Sequence, residues 1–300
     1  MAVTVNKLDY IYKKLLNEVK SKMNDTVEIS DEEYGIIYEG NNSGGNNEHI
    51  VDPSEEDKHD YSKDYLTFEA LEDGTFSFTV NDLYYSTNNG SSWKSLAAGT
   101  ETELITAGTK VLWKRTNKLK ISGTTYSDDY TGIFSSTGDF NISGNILSLF
   151  YTSNFDEYNI FPNHPHPTSN YGPASPYNCK SLFRNCIHLI NANNLVLPTN
   201  LTEYCYCDMF YGCTSLITAP ILSATTLVYH CYDSMFYDCT SLNYIKCLAT
   251  DISEFDCTTD WVNNVSSSGI FIKNSKATFN IGDSGIPAGW EVIDEVVPEE

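Results

Sequence analysis

Basic side chains are scarce in this chain: 18 Lys and Arg stand against 40 Asp and Glu across 300 residues, a formal charge of -22. Phosphate backbones and anionic lipid are repelled by such a balance at ordinary salt, so nucleic acid is excluded as an expected partner. Arginine is scarcer still, limited to Arg115 and Arg184. Long apolar runs are missing too. The opening stretch, MAVTVNKLDYIYKKLLNEVKSKM, has neither an uninterrupted apolar core nor a small-residue cleavage site, so neither a secretion signal nor a membrane insertion is expected. No G-x-S-x-G, H-E-x-x-H, G-x-x-x-x-G-K-[ST] or G-x-G-x-x-G occurs. The common nucleophile, zinc, P-loop and dinucleotide sites are therefore unsupported, and no catalytic residue, cofactor or metal is assigned.

What the chain does hold is 41% hydrophobic and 13% aromatic residues, led by 21 Tyr. That is ample for folded, β-rich structure. At roughly 100–150 residues per domain, the length suits two modest domains with connecting segments. Nine cysteines, an odd number, read as reduced thiols in a chain expected to be assembled in the cytosol.

The C-terminal half repeats itself. Tyr204-Cys205-Tyr206, Met209-Phe210-Tyr211 and Cys213-Thr214-Ser215-Leu216 recur as His230-Cys231-Tyr232, Met235-Phe236-Tyr237 and Cys239-Thr240-Ser241-Leu242, each displaced by 26 residues. A looser copy, Tyr177, Leu182-Phe183, Cys186, Leu189 and Ala192, aligns with Tyr204, Met209-Phe210, Cys213, Leu216 and Ala219 at an offset of 27. A period in the twenties with fixed apolar slots predicts a solenoid, each coil giving one short strand and one helical or irregular return. Expected ladders are Phe183/Phe210/Phe236, Cys186/Cys213/Cys239 and Leu189/Leu216/Leu242, all pointing into a shared core. Small, apolar thiols suit such slots.

These residues, with Thr218-Ala219-Pro220 and Ala224-Thr225-Thr226-Leu227 between the copies, resemble the BspA-like leucine-rich repeat over about 177–255. The resemblance implies a short leucine-rich-repeat solenoid and a surface adhesin or receptor-binding role of the kind found in gut bacteria and their phages. Residues 256–300 depart from the repeat and resemble a terminal cap, with Trp261, Phe271 and Trp290 as the lid over the last coil.

Ahead of the repeats, residues 64–160 read as an antiparallel β module, with strands expected at Tyr65–Ala70, Thr75–Val80, Leu83–Ser86, Lys110–Arg115, Ile133–Phe134 and Asn145–Phe150. Within it, Ser86 to Trp93 resembles an Asp-box hairpin with Asn88 in place of the usual Asp, a structural motif in which Asn-Asn-Gly supplies the turn. Residues 161–176 are a proline-rich linker; His164 and His166 sit there without a third ligand at metal-binding spacing. Residues 25–63 are acidic and Asn/Gly-rich, a tether. Residues 1–24 read as an amphipathic helix whose stripe, Val5, Leu8, Tyr12, Leu15 and Val19, wants a partner. It either pairs with copies of itself, giving a homo-oligomer, or docks into another protein; the plainer alternative is that it caps the β module. The fold class expected is thus mixed and mainly β: N-terminal helix, antiparallel module, and a capped C-terminal solenoid.

Enzymatic readings are weak. The Asp-box likeness raises sialidase, but that type clamps its substrate carboxylate with three arginines and only Arg115 and Arg184 exist here. A glycan depolymerase needs two carboxylates about 5–9 Å apart, whereas Glu203, Asp208, Asp233, Asp238 and Asp251 fall singly among the coils. Cys205-x-Cys207 suggests metal or redox work until the repeat is aligned, when Cys207 is replaced by Asp233. The expectation is a non-enzymatic virion protein of a bacterial virus, held to other virion proteins by its N-terminus and presenting the repeats to a host-surface glycan or protein. The alternative is a bacterial cell-surface adhesin. Tyr204, Tyr206, Tyr211, Tyr232 and Tyr237 are the expected exposed binding residues, since rigid amphipathic rings give contact area at low entropy cost.

Overall fold

A computed structural model describes residues 64–79, 83–115, 133–151, 158–159 and 179–296, all within one compact unit, Asp57–Glu300. Their strands are β1 (Leu66–Ala70), β2 (Phe76–Phe78), β3 (Leu83–Ser86), β4 (Lys94–Leu96), β5 (Lys110–Arg115), β6 (Phe134–Ser136), β7 (Phe140–Asn145), β8 (Leu189–Val196), β9 (Thr218–Leu222), β10 (Tyr244–Cys247), β11 (Ile270–Asn274) and β12 (Glu291–Glu295). A 10-stranded sheet runs β12-β11-β10-β9-β8-β7-β1-β5-β3-β4, and β2 with β6 forms a small second sheet.

Strand β7 is the seam. It pairs antiparallel with β1 on one side (Phe68 opposite Ile142) and parallel with β8 on the other (Phe140 opposite Leu189). From β8 to β12 every pairing is parallel, because consecutive coils advance in one direction. The module and the coils, expected as separate units, therefore share one sheet and one continuous core running from Leu66 to Trp290.

The expected helical content is overturned. Among the described residues there is no α-helix, only a 3-10 turn at Ile146–Leu149. The amphipathic helix expected over 1–24, with Val5, Leu8, Tyr12, Leu15 and Val19, lies outside the described residues, as do the 25–63 tether and the 161–176 linker with its two histidines. The strand expected at Asn145–Phe150 is also corrected: Asn145 ends β7 and its side chain accepts a hydrogen bond from Leu147 N, turning the chain into the 3-10 segment. Strand β4 was not foreseen.

The returns between strands are not helical because a left-handed residue interrupts them every four positions. Positive φ occurs at Tyr204, Asp208 and Gly212, then at His230, Ser234 and Asp238, then at Asp256, Asp260 and Asn264. A right-handed helix cannot pass through such residues. The hydrogen bonds that result alternate. Cys205, Cys207, Met209, Tyr211 and Cys213 donate their N–H groups three residues back within their own turn, while Tyr204, Tyr206, Asp208, Phe210 and Gly212 donate to Tyr229, Cys231, Asp233, Met235 and Tyr237 of the next coil. The next coil repeats the scheme, with Tyr232, Ser234, Phe236 and Asp238 donating to Cys257, Thr259, Trp261 and Asn263. Every such buried backbone donor is satisfied, half locally and half between coils.

Glycine stands at one of these left-handed positions, where the equivalent positions of the other coils hold Asn185, Asp238 and Asn264. Gly212 has φ +71°, and a Cβ there would lie 2.3 Å from Asn185 Oδ1 in the preceding coil. Gly212→Ala is expected to destabilise the protein by about 1–2 kcal/mol from the left-handed backbone alone. Chemical denaturation of the purified variant checks this; an unchanged midpoint and slope would mean that the turn relaxes to another conformation.

Candidate functional site

Each coil places three kinds of side chain in fixed slots. The innermost is a ring. Phe134, Phe183, Phe210 and Phe236 stack in sequence, with centroids 5.6, 5.5 and 5.6 Å apart and planes within 16° of parallel. Beside each ring a thiol donates to the carbonyl of the previous coil's phenylalanine: Cys186 to Phe134 O (2.8 Å), Cys213 to Phe183 O (2.9 Å) and Cys239 to Phe210 O (3.0 Å). Leu189, Leu216 and Leu242 are buried alongside. Phe134 shows that 133–145 belongs to the stack of coils as well as to the antiparallel module expected over 64–160. The signal was present: Phe134 precedes Phe140 by six residues, as Phe183 precedes Leu189, Phe210 precedes Leu216 and Phe236 precedes Leu242.

Burial works against thiolate formation at every cysteine. All nine cysteines are free and buried. Burial pushes Cys186, Cys205 and Cys247 up to about 12 from an ordinary 9.0, and the remaining thiols shift in the same direction. Since the thiolate is the nucleophile, native protein is expected to resist a thiol reagent such as DTNB at pH 8 and to react after unfolding. The same shifts fix a sign for stability. A thiol neutral in the fold but ionised when unfolded contributes fully below the unfolded value, and that contribution is lost as pH rises from about 9 through about 12. The denaturation midpoint should fall across that window; a midpoint that holds steady or rises there would contradict buried, neutral thiols.

The expected binding tyrosines divide. Tyr206 and Tyr232 are corrected to core residues: they are 0% and 1% exposed, their rings lie 6.0 Å apart, and Tyr232 stacks on Trp261. The physical reason is that Tyr206 has a buried partner for its hydroxyl, which donates to Pro198 O at 3.0 Å, so the ring can be submerged without leaving a polar atom unpaired. In the first coil Cys179, equally buried, occupies this slot. Tyr206→Ala or Tyr232→Ala is expected to cost about 3–5 kcal/mol, as for other large buried rings. Thermal unfolding measures it, and a native-like Tm would return these rings to the surface.

Tyr204, Tyr211 and Tyr237 are half-buried at the turn surface. Tyr211 and Tyr237 stack at 4.7 Å and 3°, and the Arg184 guanidinium lies 3.6 Å from the centre of the Tyr211 ring. Arg184 occupies the tyrosine slot of the first coil, so one row reads Arg184, Tyr211, Tyr237, Asn263. Arg184 is itself fixed by Asp208 at 2.8 Å. Burial raises the Asp208 carboxyl above its ordinary value, and the Arg184 charge opposes that rise. Tyr211 is raised by partial desolvation and by Asp238 nearby. The adjacent row holds Asn185, Gly212, Asp238 and Asn264, with Asn264 Nδ2 donating to Asp238 Oδ1 at 2.8 Å. Thr214 and Thr240 follow, exposed, with Thr240 Oγ1 donating to Thr214 O at 3.4 Å.

A second surface group lies at the start of the turns. Tyr204 stacks on His230 at 4.7 Å, Tyr229 meets the same imidazole edge-on at 4.2 Å, and His230 Nδ1 is 2.6 Å from Asp233 Oδ2. Phe255, 67% exposed, continues it. Asp208 and Asp233 are thus each engaged by a neighbour in the turn face.

At the C-terminal end Trp261 is fully buried with its Nε1 donating to Gly285 O at 2.8 Å, and Trp290 Nε1 donates to Ser266 O at 2.7 Å. In the hairpin at 86–93, Asn88 Oδ1 accepts from Ser92 N, Ser86 Oγ accepts from Gly90 N, and Trp93 packs on Tyr65 under the Lys114 ammonium. No group of three or more His, Cys, Asp or Glu side chains suited to a metal occurs among the described residues, and no helix among them is long and apolar enough to cross a membrane. Compared with family models, curated proteins and solved structures, the chain matches none.

Proposed function

We propose that this protein is a non-enzymatic binding protein that offers the turn face of its coils to a host-surface glycan or protein, as a component of a bacterial virus particle. One observation carries the reading: the half-exposed Tyr211–Tyr237 stack, clamped by Arg184 and Asp208. Ring pairs held in place before a ligand arrives lose little entropy on binding, which is where rigid aromatic contacts gain their affinity. The BspA-like character of the repeats supports an adhesive role, and it suits a bacterial cell-surface adhesin equally. Mass spectrometry of purified particles, set against cell envelopes, separates the two locations.

Attachment itself is tested by applying labelled protein to a panel of intact bacterial cells. Tyr211→Ala with Tyr237→Ala should reduce saturable binding about tenfold or more, with the fold retained because both rings sit at the surface. Absence of saturable binding by the unaltered protein, or full binding by a folded double variant, would defeat the proposal.

A further inference from the structure

We infer that the aromatic group at the start of the turns docks an arginine side chain of a protein partner, with Phe255 and Tyr229 receiving the guanidinium and Glu254 and Asp256 balancing its charge. This site uses residues other than Tyr211 and Tyr237 and does not depend on the reading above. Two rows of side chains build it, each advancing one coil every 26 residues: Glu203, Tyr229 and Phe255 in one, Tyr204, His230 and Asp256 in the other. Tyr204 stacks on His230, and Tyr229 meets that imidazole edge-on at 4.2 Å, so Tyr229 is held in place by its neighbours. Phe255 continues from Tyr229, with centroids 6.3 Å apart and planes within 15° of parallel, and is 67% exposed. A contiguous group of rings that ends in water, unlike a ring standing alone, marks a surface for contact.

Charge decides the occupant. Phe255 stands in the chain between Glu254 and Asp256. His230 Nδ1 lies 2.6 Å from Asp233 Oδ2 and its Nε2 3.8 Å from Asp256 Oδ2. Among the described residues no lysine or arginine pairs with Asp233, Glu254 or Asp256; the pairs that lysine and arginine make there lie elsewhere, at Lys94, Arg184, Lys246 and Lys273. Aromatic faces attract cations, and the molecule already shows which cation its coils can hold. The Arg184 guanidinium lies 3.6 Å from the centre of the Tyr211 ring while it contacts Asp208 at 2.8 Å. There a ring and a carboxylate of one coil hold a guanidinium from the coil before it. At Phe255 the ring and the carboxylates are present, and no described residue supplies the guanidinium. Arginine suits such a site better than lysine, because its flat, weakly hydrated head stacks on a ring and bonds a carboxylate at the same time. A formal charge of -22 also draws a basic segment in from a distance.

Fluorescence anisotropy with the full chain and a short labelled peptide of alternating glycine and arginine tests this, at about 0.15 M salt so that long-range attraction is screened. Lysine and citrulline versions of the peptide serve as comparisons. The arginine peptide should bind saturably, about fivefold more tightly than the lysine peptide and about tenfold more tightly than the uncharged citrulline one. Phe255→Leu, at an exposed position where the fold is retained, should weaken binding about fivefold by removing the ring. Glu254→Gln with Asp256→Asn should weaken it about tenfold, while the new side chains still accept from Phe255 N and Thr259 Oγ1. Glu72→Gln with Glu291→Gln removes the same charge from exposed positions elsewhere and should change binding less than about twofold. Absence of saturable binding, equal affinity for the lysine peptide, full binding by Phe255→Leu, or an equal loss in the Glu72 and Glu291 variant would each overturn the inference. Phe255-dependent binding of cellohexaose or chitohexaose by a protein that ignores the arginine peptide would make the group a sugar platform, and the inference would fall.

Discussion

The alternation of backbone hydrogen bonds in the turn segments is the constraint on which the rest depends. A parallel sheet alone would leave the return path of each coil unpaired, and a return of this length buried against its neighbour cannot leave N–H groups idle. Setting a left-handed residue every four positions resolves this by aiming successive donors in two directions: Tyr206 N reaches Cys231 O in the next coil, and Cys207 N reaches Tyr204 O in its own turn. The coils are thereby bonded on both sides, through strands and through returns. This explains why no helix is needed to close the solenoid. It also explains the residues found at the left-handed sites, where Asn, Asp, Ser and Gly dominate because their short or absent side chains tolerate positive φ.

Close packing of the returns sets what can stand between them. With coils joined at strand spacing, large flat rings stack face to face, and the slot beside each ring has room for a small group only. Cysteine fills it as a weak donor to the phenylalanine carbonyl of the previous coil, so the slot loses neither volume nor a hydrogen bond. Where the chain lacks that cysteine, in the Phe134 coil, Thr137 stands at the same spacing and uses its hydroxyl to accept from Thr75 N in the antiparallel part. The seam at β7 thus turns an antiparallel sheet into a stack of coils without a break in the core.

Much of this was legible in the sequence, and the limits have physical causes. The 26-residue offset between Cys205 and Cys231, or Phe210 and Phe236, is a register statement, because stacked ladders demand equal spacing. Burial was less legible for tyrosine. Tyr206 and Tyr211 are five residues apart in one coil, and nothing in residue type separates the ring whose hydroxyl meets Pro198 O from the one beneath Arg184. Only the direction of each position around the turn decides, and that follows from the left-handed residues. Their recurrence at 204, 208 and 212 was obscured because Tyr204, a bulky residue, occupies such a site against its usual preference. The Phe134 coil escaped notice for a related reason: a long segment separates it from the first obvious repeat, so its offset of 49 from Phe183 hides the shared spacing to Phe140 and Leu189.

A stack of coils held by hydrogen bonds on every side has no internal reason to stop, so its last edge must be made unsuitable for another strand. Strand β12 is that edge, and its sequence supplies Glu291, Asp294 and Glu295 along five residues. Lys273 pairs with Asp294 at 2.6 Å and Lys246 reaches Glu295 at 2.6 Å from two strands away, which ties the edge back onto the sheet. A second copy arriving edge to edge would set carboxylate against carboxylate, in a chain whose net charge is already -22. Trp261 and Trp290 meanwhile cover the end of the ring ladder, each with its indole N–H satisfied by a backbone carbonyl. Charge closes the sheet and aromatic surface closes the core.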